Sequence, residues 1–325
     1  MLHVIMPVYK ARDTIRDALD SLVAQTKRQF IVTCVQDCDG VDYTDIKEYY
    51  EQRLHLRWIE RNENGGPGAA RQTGMDCDTM CDYLMFLDAD DMLMPNAIER
   101  AYAEAKRTSA DVVAFSFLRE LNHQPPLLMD VNKVPITWSH GKVYRTEYLR
   151  ENNIRWHPDL RLNEDSYFNL VAWNGTDNVA KVSEVIHLWR DNQNSLTRRD
   201  GEVGFFRTSN GQYILSQVEG LKKLEEMGHL KSHLIAYTLV NCYEAMMRAH
   251  FYKIDENYAN QQLDRVRANK TVQDAFNDAN YWKAVSSVLH ACVWLEDNTL
   301  VFYNERFIDW MNRTVKGPAP TAQDE

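Results

Sequence analysis

The chain has 325 residues, of which 44% are hydrophobic and 11% aromatic, so it can bury a large core. This size predicts two domains, or one domain with an extension. The formal net charge of −10 argues against a general nucleic-acid-binding protein, which would carry a basic face. No apolar stretch approaches the roughly 20 residues that span a bilayer, and no basic segment precedes the first apolar run. The sequence therefore predicts a cytoplasmic protein, with peripheral membrane attachment as an alternative.

Strand-like and helix-like patterns alternate in the first part of the chain. The predicted strands are short apolar runs at residues 3–9, 30–37, 56–61, 82–91 and 110–118. Predicted helices cover residues 14–26, 42–54 and 95–108, and a further helix follows the glycines near residue 66. This alternation predicts βαβ units, and hence an α/β fold with a mostly parallel sheet flanked by helices on both faces.

The second part of the chain is predicted to be helical. Helical patterns cover residues 204–227, 230–252, 255–269 and 281–295. The last ten residues read KGPAPTAQDE, a composition typical of a disordered tail. We therefore divide the chain into an α/β domain (residues 1–205), a helical region (residues 206–315) and a tail (residues 316–325).

Four of the six cysteines form two C-x3-C pairs, which raises the question of a zinc site. Cys34 pairs with Cys38, and Cys77 pairs with Cys81. Structural zinc sites more often use C-x2-C spacing, and Cys34 lies in a β-branched run typical of a buried strand. We therefore expect reduced structural thiols, with zinc as the alternative.

Polar residues follow each of the first four predicted strands. They are Tyr9, Asp37 and Asp39, Asn64, and the segment 88–91. Ligands of parallel α/β sheets bind beyond the carboxyl ends of the strands. These residues are therefore expected to converge at one edge of the sheet.

The fourth predicted strand ends in the acidic sequence FLDADD. In an extended segment, Asp88 and Asp90 point to the same side and Asp91 points away. Two carboxylates with open coordination positions suit Mg²⁺ or Mn²⁺, which complete their shells with water and phosphate oxygens. The alternative is an acidic turn that caps the helix beginning near Pro95.

The glycine-rich sequence NGGPGAARQTG follows the third predicted strand. Gly65, Gly66 and Gly68 allow close approach of a ligand to the backbone, and Pro67 suits a first helical turn. Arg71 would lie in the following helix, where it can pair with a phosphate or an aspartate. The spacing matches neither a dinucleotide fingerprint nor a P-loop. A plain turn before a helix is the alternative.

A further acidic pair stands in the sequence LNEDSYFN. Glu164 and Asp165 precede an aromatic-rich helical pattern. One of them is a candidate general base in a cleft. Alternatively, both carboxylates only stabilise the helix through its dipole.

The order of these motifs resembles the family 2 glycosyltransferases of the GT-A fold. The matching stretches are IMPVYKARDTIRDALDSLVAQT, QDCDG, NGGPGAARQTG, FLDADD, WSHGKVYRTEYLRENNIRW, NEDSYF and HLWRDNQNSLTRR. Each motif alone is weak, but together they cover about residues 2–200 in the family's order. The helical remainder has no counterpart in the resemblance.

The resemblance implies a nucleotide-sugar donor, with a UDP-sugar as the expected one, and inversion at the anomeric carbon. The donor-binding residues that it implies are Pro7, Tyr9, Asp37, Asp39, Asn64, Arg71, Asp88 and Ala89. Asp165 would be the catalytic base with Glu164 beside it, and Mn²⁺ or Mg²⁺ would be bound by Asp88 and Asp90. A divalent ion stabilises the charge that develops on the leaving diphosphate. A hydrolase with a paired acid and base needs no such ion.

Two features leave parts of this site open. His187 is a candidate third metal ligand, with His140 as its rival and a structural role as the alternative for each. Family members commonly read D-D-G-S where this chain has the segment 37–40, and Asn where Gln72 stands. These departures bear on the uracil contact and on the choice of donor.

Rival functions and acceptors also remain open at this point. A protein that binds a nucleotide-sugar without turning it over would need no base at Asp165. A nucleotidyltransferase would more usually show a glycine-rich basic segment after the first strand, where this chain reads PVYKARDT. A glycan, a lipid-linked sugar, a protein side chain or a modified nucleic-acid base could each offer the acceptor hydroxyl. Trp138 and Trp189 could stack on a sugar or simply pack in the core.

Overall fold

The computed structural model describes residues 1–77, 80–121, 127–131, 136–192 and 201–231, and the single positions 234, 235, 238 and 242. The chain divides into two compact units, Met1–Ser195 and Leu196–Glu325. Among the described residues, no helix combines the length and the apolar character needed to cross a bilayer.

The first unit contains nine strands and six helices in its described part. The strands are β1 (Leu2–Val8), β2 (Phe30–Gln36), β3 (Leu56–Glu60), β4 (Tyr83–Phe86), β5 (Met92–Leu93), β6 (Val112–Leu121), β7 (Leu127–Val131), β8 (Lys142–Arg145) and β9 (Val179–Trp189). The helices are α1 (Ile15–Val23), α2 (Thr44–Glu51), α3 (Pro67–Met75), α4 (Ala97–Thr108), α5 (Thr146–Glu151) and α6 (Glu164–Asn174).

All nine strands form one mixed sheet. Its order is β3-β2-β1-β4-β8-β6-β9-β5, with β7 beside β6. The strands β3, β2, β1 and β4 are parallel, as is the pair β6 and β9. The strands β8, β7 and β5 run antiparallel to their neighbours. The predicted α/β class is confirmed, and the sheet is mixed because short antiparallel strands follow the βαβ units.

The two faces of the sheet bury different helices. Val4 and Met6 of β1 belong to a buried cluster with residues of α1, α2 and α4. Ile5 points to the opposite face, because side chains alternate along a strand. There a Cβ atom at Gly74 would lie only 2.4 Å from Ile5 Cγ2, so α3 lies directly on β1. This contact packs the last turn of α3 against the middle of β1.

The pairing of β6 with β9 contains an irregularity. Phe115 pairs with Val182, whereas Phe117, two residues further on, pairs with His187. The longer stretch of β9 bulges between these pairs. As a result, His187 lies beside Phe117 near the acidic turn that follows β4, with the two rings 6.5 Å apart.

The second unit contains helix α7 (Gly201–Glu226), which matches the predicted helix over residues 204–227. Its buried apolar residues include Ile214, Leu215, Val218, Leu221 and Leu224, and Ser216 and Gln217 between them are buried as well. The predicted helix over 230–252 is described only in part, and those over 255–269 and 281–295 lie outside the described residues, as does the tail. The three-part division of the chain stays a prediction.

Candidate active site

The loops after β1, β2 and β3 meet at the carboxyl edge of the sheet. Lys10 N donates to Asp39 Oδ2 at 2.6 Å, which joins the first loop to the second. Asn64 Nδ2 donates to Asp37 O at 3.0 Å, which joins the third loop to the second. Tyr9 stands beside them with 46% of its surface exposed. At this edge, the exposed ring of Tyr9 therefore accompanies three loops that are joined by hydrogen bonds.

The Asp37 carboxylate binds the backbone of the glycine-rich loop. Its side chain is buried, and its oxygens accept hydrogen bonds from Gly65 N at 3.1 Å and Gly66 N at 2.7 Å. Arg61 Nε lies 2.8 Å from Asp37 Oδ1 in an ion pair. Gly66 has a φ of 85°, a left-handed conformation that glycine adopts without strain. Asp37 thus holds the backbone from which α3 begins.

Asp39 is the second carboxylate of this loop and is half-buried. Burial alone would raise the pKa of Asp39, but hydrogen bonds from Lys10, Val41, Gln36 and Tyr43 outweigh it and lower that pKa. Tyr43 Oη donates at 3.0 Å and Gln36 Nε2 at 2.7 Å. Asp39 is therefore held ionised in one orientation at the entrance of the site.

The acidic segment after β4 forms a turn rather than an extended strand. Asp91 N donates to Asp88 O at 3.0 Å, which reverses the chain before β5. Asp91, which the prediction placed on the side opposite Asp88 and Asp90, is 1% exposed. Asp88 remains 36% exposed. Asp90 Oδ2 accepts a hydrogen bond from Asn192 Nδ2 at 2.8 Å. Alternation along a strand does not apply to a turn, so the prediction of an extended segment up to residue 91 is wrong.

Arg71 supplies the positive charge that the acidic turn requires. Its guanidinium is buried and donates to Asp88 Oδ1 at 2.6 Å and to Glu164 Oε1 at 2.8 Å. Burial alone would lower the pKa of Arg71, but the charges of Asp88 and Glu164 raise it above its ordinary value. The guanidinium also lies over the Trp156 ring, 4.9 Å from its centre. Arg71 therefore links the acidic turn to the helix that carries the candidate base.

Helix α6 begins with the acidic pair that the sequence predicts. Asn163 precedes it in a left-handed conformation, with a φ of 57°. Glu164 is buried against α3, where a Cβ atom at Gly68 would lie 3.0 Å from Glu164 Cγ. Burial and the neighbouring Asp165 raise the pKa of Glu164 to about 7, against the opposing charge of Arg71. Glu164 is thus an inward-facing carboxyl that belongs to the packing of α3 and α6.

Asp165 is more exposed than its neighbour, at an intermediate level. Its Oδ1 accepts a hydrogen bond from Ser166 N at 2.8 Å. Burial raises the pKa of Asp165, and the nearby charge of Asp88 acts in the same direction. Arg71 and Lys142 oppose this rise. A partly exposed carboxylate with a raised pKa is suited to accept a proton from a bound hydroxyl.

The raised pKa of Glu164 predicts a pH-dependent stability. In the folded protein this carboxyl ionises near pH 7, against 4.5 for an unperturbed glutamate. Its contribution is therefore fully present below pH 4.5 and is lost as the pH rises through about 7. We expect the stability advantage of the wild type over Glu164→Gln to fall by about 3 kcal/mol across this window, measured by urea unfolding at each pH. The exposed Glu63→Gln variant is the control, and a pH-independent difference would contradict the prediction.

Two histidines surround Asp91 behind the acidic turn. His187 Nε2 lies 2.9 Å from Asp91 Oδ2, and His140 Nε2 lies 3.5 Å from the same oxygen. Ligand atoms of these three residues all lie within 4.8 Å of one another. The Nδ1 atoms of both imidazoles are buried without a hydrogen-bond partner in the described part of the chain. Two imidazoles and a carboxylate form a donor set that fits a divalent transition-metal ion.

The remaining predicted residues lie at the same edge or support it. Pro7 lies in β1 opposite Val35, and Ala89 is buried inside the acidic turn. His187 meets Asp91 rather than Asp90, a pairing that sequence spacing does not reveal. Sequence reasoning also missed the buried residues Lys142 and Asn169, whose contacts depend on distant segments. The cysteines in the described segments are free thiols and take no part in the Asp and His cluster.

Comparison with known proteins assigns a class to this fold and site. The sequence profile named Glycosyl transferase family 2 matches residues 3–126. The crystal structure of Staphylococcus aureus TarS 1–349 in complex with UDP-GlcNAc superposes with a TM-score of 0.71 at 18% identity, covering 97% of this chain and 90% of that chain. At this identity the likeness concerns the fold, which is the GT-A arrangement that the sequence predicts.

Curated relatives point to the same class. The uncharacterized glycosyltransferase EpsJ of Bacillus subtilis (strain 168) is 28% identical over 218 residues, which are 61% of this chain and 63% of EpsJ. A poly(ribitol-phosphate) beta-glucosyltransferase of Bacillus spizizenii is 28% identical over 217 residues, 62% of this chain and 33% of that protein. The chain thus spans less than two thirds of the length of these relatives. Residues 3–126 match the family 2 glycosyltransferase profile, and the predicted resemblance to that family is confirmed.

Proposed function

We propose that the protein is an inverting, cation-dependent glycosyltransferase that moves a sugar from a UDP-sugar to an acceptor hydroxyl in glycan synthesis. The observation that carries this proposal is the bridge of Arg71 between Asp88 and Glu164, which holds the acidic turn beside the base Asp165. The names of the relatives support the substrate class, because they describe transfer of glucose or N-acetylglucosamine to poly(ribitol-phosphate). The UDP-GlcNAc complex of TarS supports the donor class.

The nucleotide would lie at the edge formed by the loops after β1, β2 and β3. The exposed ring of Tyr9, next to Pro7, offers a surface for the uracil base. Asp39 is better placed than Asp37 for a direct contact with the base or ribose, because Asp39 is partly exposed whereas Asp37 is buried. Asn64 and Ala89 would border the same groove. The carboxylate of Asp88, which is partly exposed, would face the ribose.

Asp88 and Asp90 would hold Mn²⁺ or Mg²⁺, and His187 with its partners Asp91 and His140 provides an adjacent donor set. When bound, such an ion neutralises charge that develops on a leaving diphosphate. The acidic turn fits this role because Asp88 remains partly exposed although Arg71 already offsets its charge. The protein groups therefore orient a diphosphate at the end of β4.

Asp165 would act from the acceptor side of the sugar. The acceptor oxygen attacks the anomeric carbon as the bond from that carbon to the diphosphate oxygen breaks, and UDP leaves with the bonding electron pair. The acceptor proton passes to the Asp165 carboxylate. A single displacement of this kind inverts the configuration at the anomeric carbon and needs only one base. Glu164 supports the site through Arg71 and need not exchange a proton.

A cation-binding experiment tests the proposal directly. Binding of UDP should be measured by calorimetry with Mn²⁺ and with EDTA, and release of UDP from UDP-GlcNAc and UDP-glucose should be followed in parallel. We expect Asp90→Asn to weaken UDP binding about tenfold or more in Mn²⁺, because the cation loses a charged ligand, which costs about 1.4 kcal/mol or more of binding free energy. The same variant should have little effect on UDP binding in EDTA. The exposed Asp159→Asn is the matched control.

Two outcomes would count against parts of the proposal. If the wild type binds neither UDP nor a UDP-sugar in Mn²⁺, the donor assignment is wrong. If UDP binds but no UDP is ever released from a donor, the protein is a binding protein rather than an enzyme. A His140→Gln variant locates the ion, because loss of Mn²⁺ affinity there and not in Asp90→Asn would assign it to the Asp91 and histidine set.

A further inference from the structure

The segment 136–140 lies between β7 and β8, and the buried side chains of Lys142 and Asn169 contact its successive residues in turn. Lys142 Nζ donates to the carbonyl oxygen of Ile136 at 3.0 Å and to that of Trp138. Asn169 Nδ2 lies 3.2 Å from the carbonyl oxygen of Thr137 and 3.1 Å from Ser139 Oγ. Four consecutive residues are therefore tied alternately to β8 and to α6.

Asn169 also connects to the candidate base and to β8. Its Nδ2 donates to Asp165 O at 2.9 Å, one turn earlier in α6. Its Oδ1 accepts a hydrogen bond from Tyr144 Oη at 2.5 Å. Asn169 is 1% exposed, so these bonds do not compete with water. A single amide thereby joins the backbone of the base to β8 and to the segment 136–140.

The other end of the segment reaches the acidic turn. The Trp138 ring lies 5.2 Å from Trp189, and the His140 ring stacks on Trp189 at 4.7 Å. His140 Nε2 lies 3.5 Å from Asp91 Oδ2, which closes the connection. The segment 136–140 thus spans from the helix of the base to the turn that carries the cation-binding carboxylates.

We propose that Asn169 is a positioning residue, which fixes Asp165 at its working distance from the acidic turn through the segment 136–140. This inference rests on the proposed function, because it assigns Asp165 as the base. The physical reason is that a displacement of about 1 Å between reacting groups can cost on the order of 100-fold in rate.

The Asn169→Ala variant tests this role with UDP-sugars as probes. We expect release of UDP from UDP-GlcNAc or UDP-glucose to slow by on the order of tenfold or more, since the hydrogen bonds that tie α6 to β8 and to the segment 136–140 are lost. The Kd for UDP in Mn²⁺ should stay within about twofold, because the donor site does not depend on this amide. The matched control is Asn174→Ala on the same helix, whose side chain makes one local bond, to Leu170 O at 2.8 Å. That variant should keep both values.

The outcomes separate this inference from the proposed function. If the wild type releases UDP and Asn169→Ala releases it at the same rate, the inference is wrong and the proposed function stands. An equal loss of UDP affinity and turnover would also overturn it, because that pattern indicates general damage. If Asn169→Ala does not fold, as judged by thermal melting, Ser139→Ala removes only one of the contacts. It should slow turnover by about two- to threefold at unchanged UDP affinity, and an unchanged turnover would refute the inference.

Discussion

The Asp165→Asn variant is expected to lose sugar transfer and donor hydrolysis by on the order of 1,000-fold, because general base catalysis contributes roughly this factor. The asparagine amide has nearly the same shape as the aspartate but cannot take the proton from the acceptor hydroxyl. Sugar transfer therefore stops although the packing of α6 is preserved. Binding of UDP in Mn²⁺ should be unchanged, since the proposed role of Asp165 is on the acceptor side. The measurements are UDP release by coupled assay and UDP affinity by calorimetry.

Two further variants make the Asp165 prediction specific. The exposed Asp159→Asn, six residues earlier in the chain, should retain wild-type turnover. Glu164→Gln should retain more activity than Asp165→Asn, because Glu164 faces inward and bonds to Arg71 at 2.8 Å. A result in which Glu164→Gln is dead and Asp165→Asn is active would assign the base to the other carboxyl.

The Arg71→Met variant is expected to destabilise the fold by roughly 3–5 kcal/mol, the cost typical of leaving buried charges without their partner. The guanidinium is shared by Asp88 and Glu164, so its loss leaves Asp88 uncompensated beside the other acidic residues of the turn. Methionine fills similar volume, which confines the loss to charge and hydrogen bonding. Urea unfolding followed by tryptophan fluorescence measures the difference.

A surface pair of similar geometry provides the matched control for Arg71. Arg155 lies 2.8 Å from Asp76, and both side chains are 50% exposed. Arg155→Met should cost less than about 1 kcal/mol, because water and salt screen an exposed pair. Similar losses in the two variants would show that burial does not set the strength of the Arg71 bridge. Added Mn²⁺ and UDP should narrow the Arg71→Met deficit, since the ion supplies the missing positive charge.

The βαβ part of the fold was predictable from the sequence because its elements carry strong periodic signals. Strands β1, β2, β4 and β6 are apolar runs, β3 alternates, and α1 buries Ile15, Leu19 and Leu22 at helical spacing. Strands β5, β7, β8 and β9 were not predicted because their signals are weak or their pairing is distant. Strand β5 has two residues and β8 has four, too few for a period to emerge.

In the candidate site, the sequence indicated which residues lie close together better than how they are arranged. The acidic turn, the glycine-rich loop and the pair on α6 were all expected at one place. That Arg71 bridges Asp88 and Glu164 could not be read from spacing, because 93 residues separate Arg71 from Glu164. The inward position of Asp91 follows from a chain reversal closed by one backbone hydrogen bond. Such reversals depend on tertiary contacts rather than on local periodicity.

The bulge between β6 and β9 has a consequence for protein engineering. Continuing the register of Phe115 and Val182 would place Glu184 opposite Phe117, whereas His187 stands there instead. The shift from Glu184 to His187 is three residues, which is an odd number. The side chains of β9 beyond the bulge therefore point to the opposite face of the sheet from the one that a regular register would give. Deleting a single residue there, or splicing in a β9 from a regular homologous sheet, would rotate the imidazole out of reach of Asp91. In chimeras of such enzymes, the junctions should therefore lie outside residues 182–187, so that the β-bulge is transferred intact.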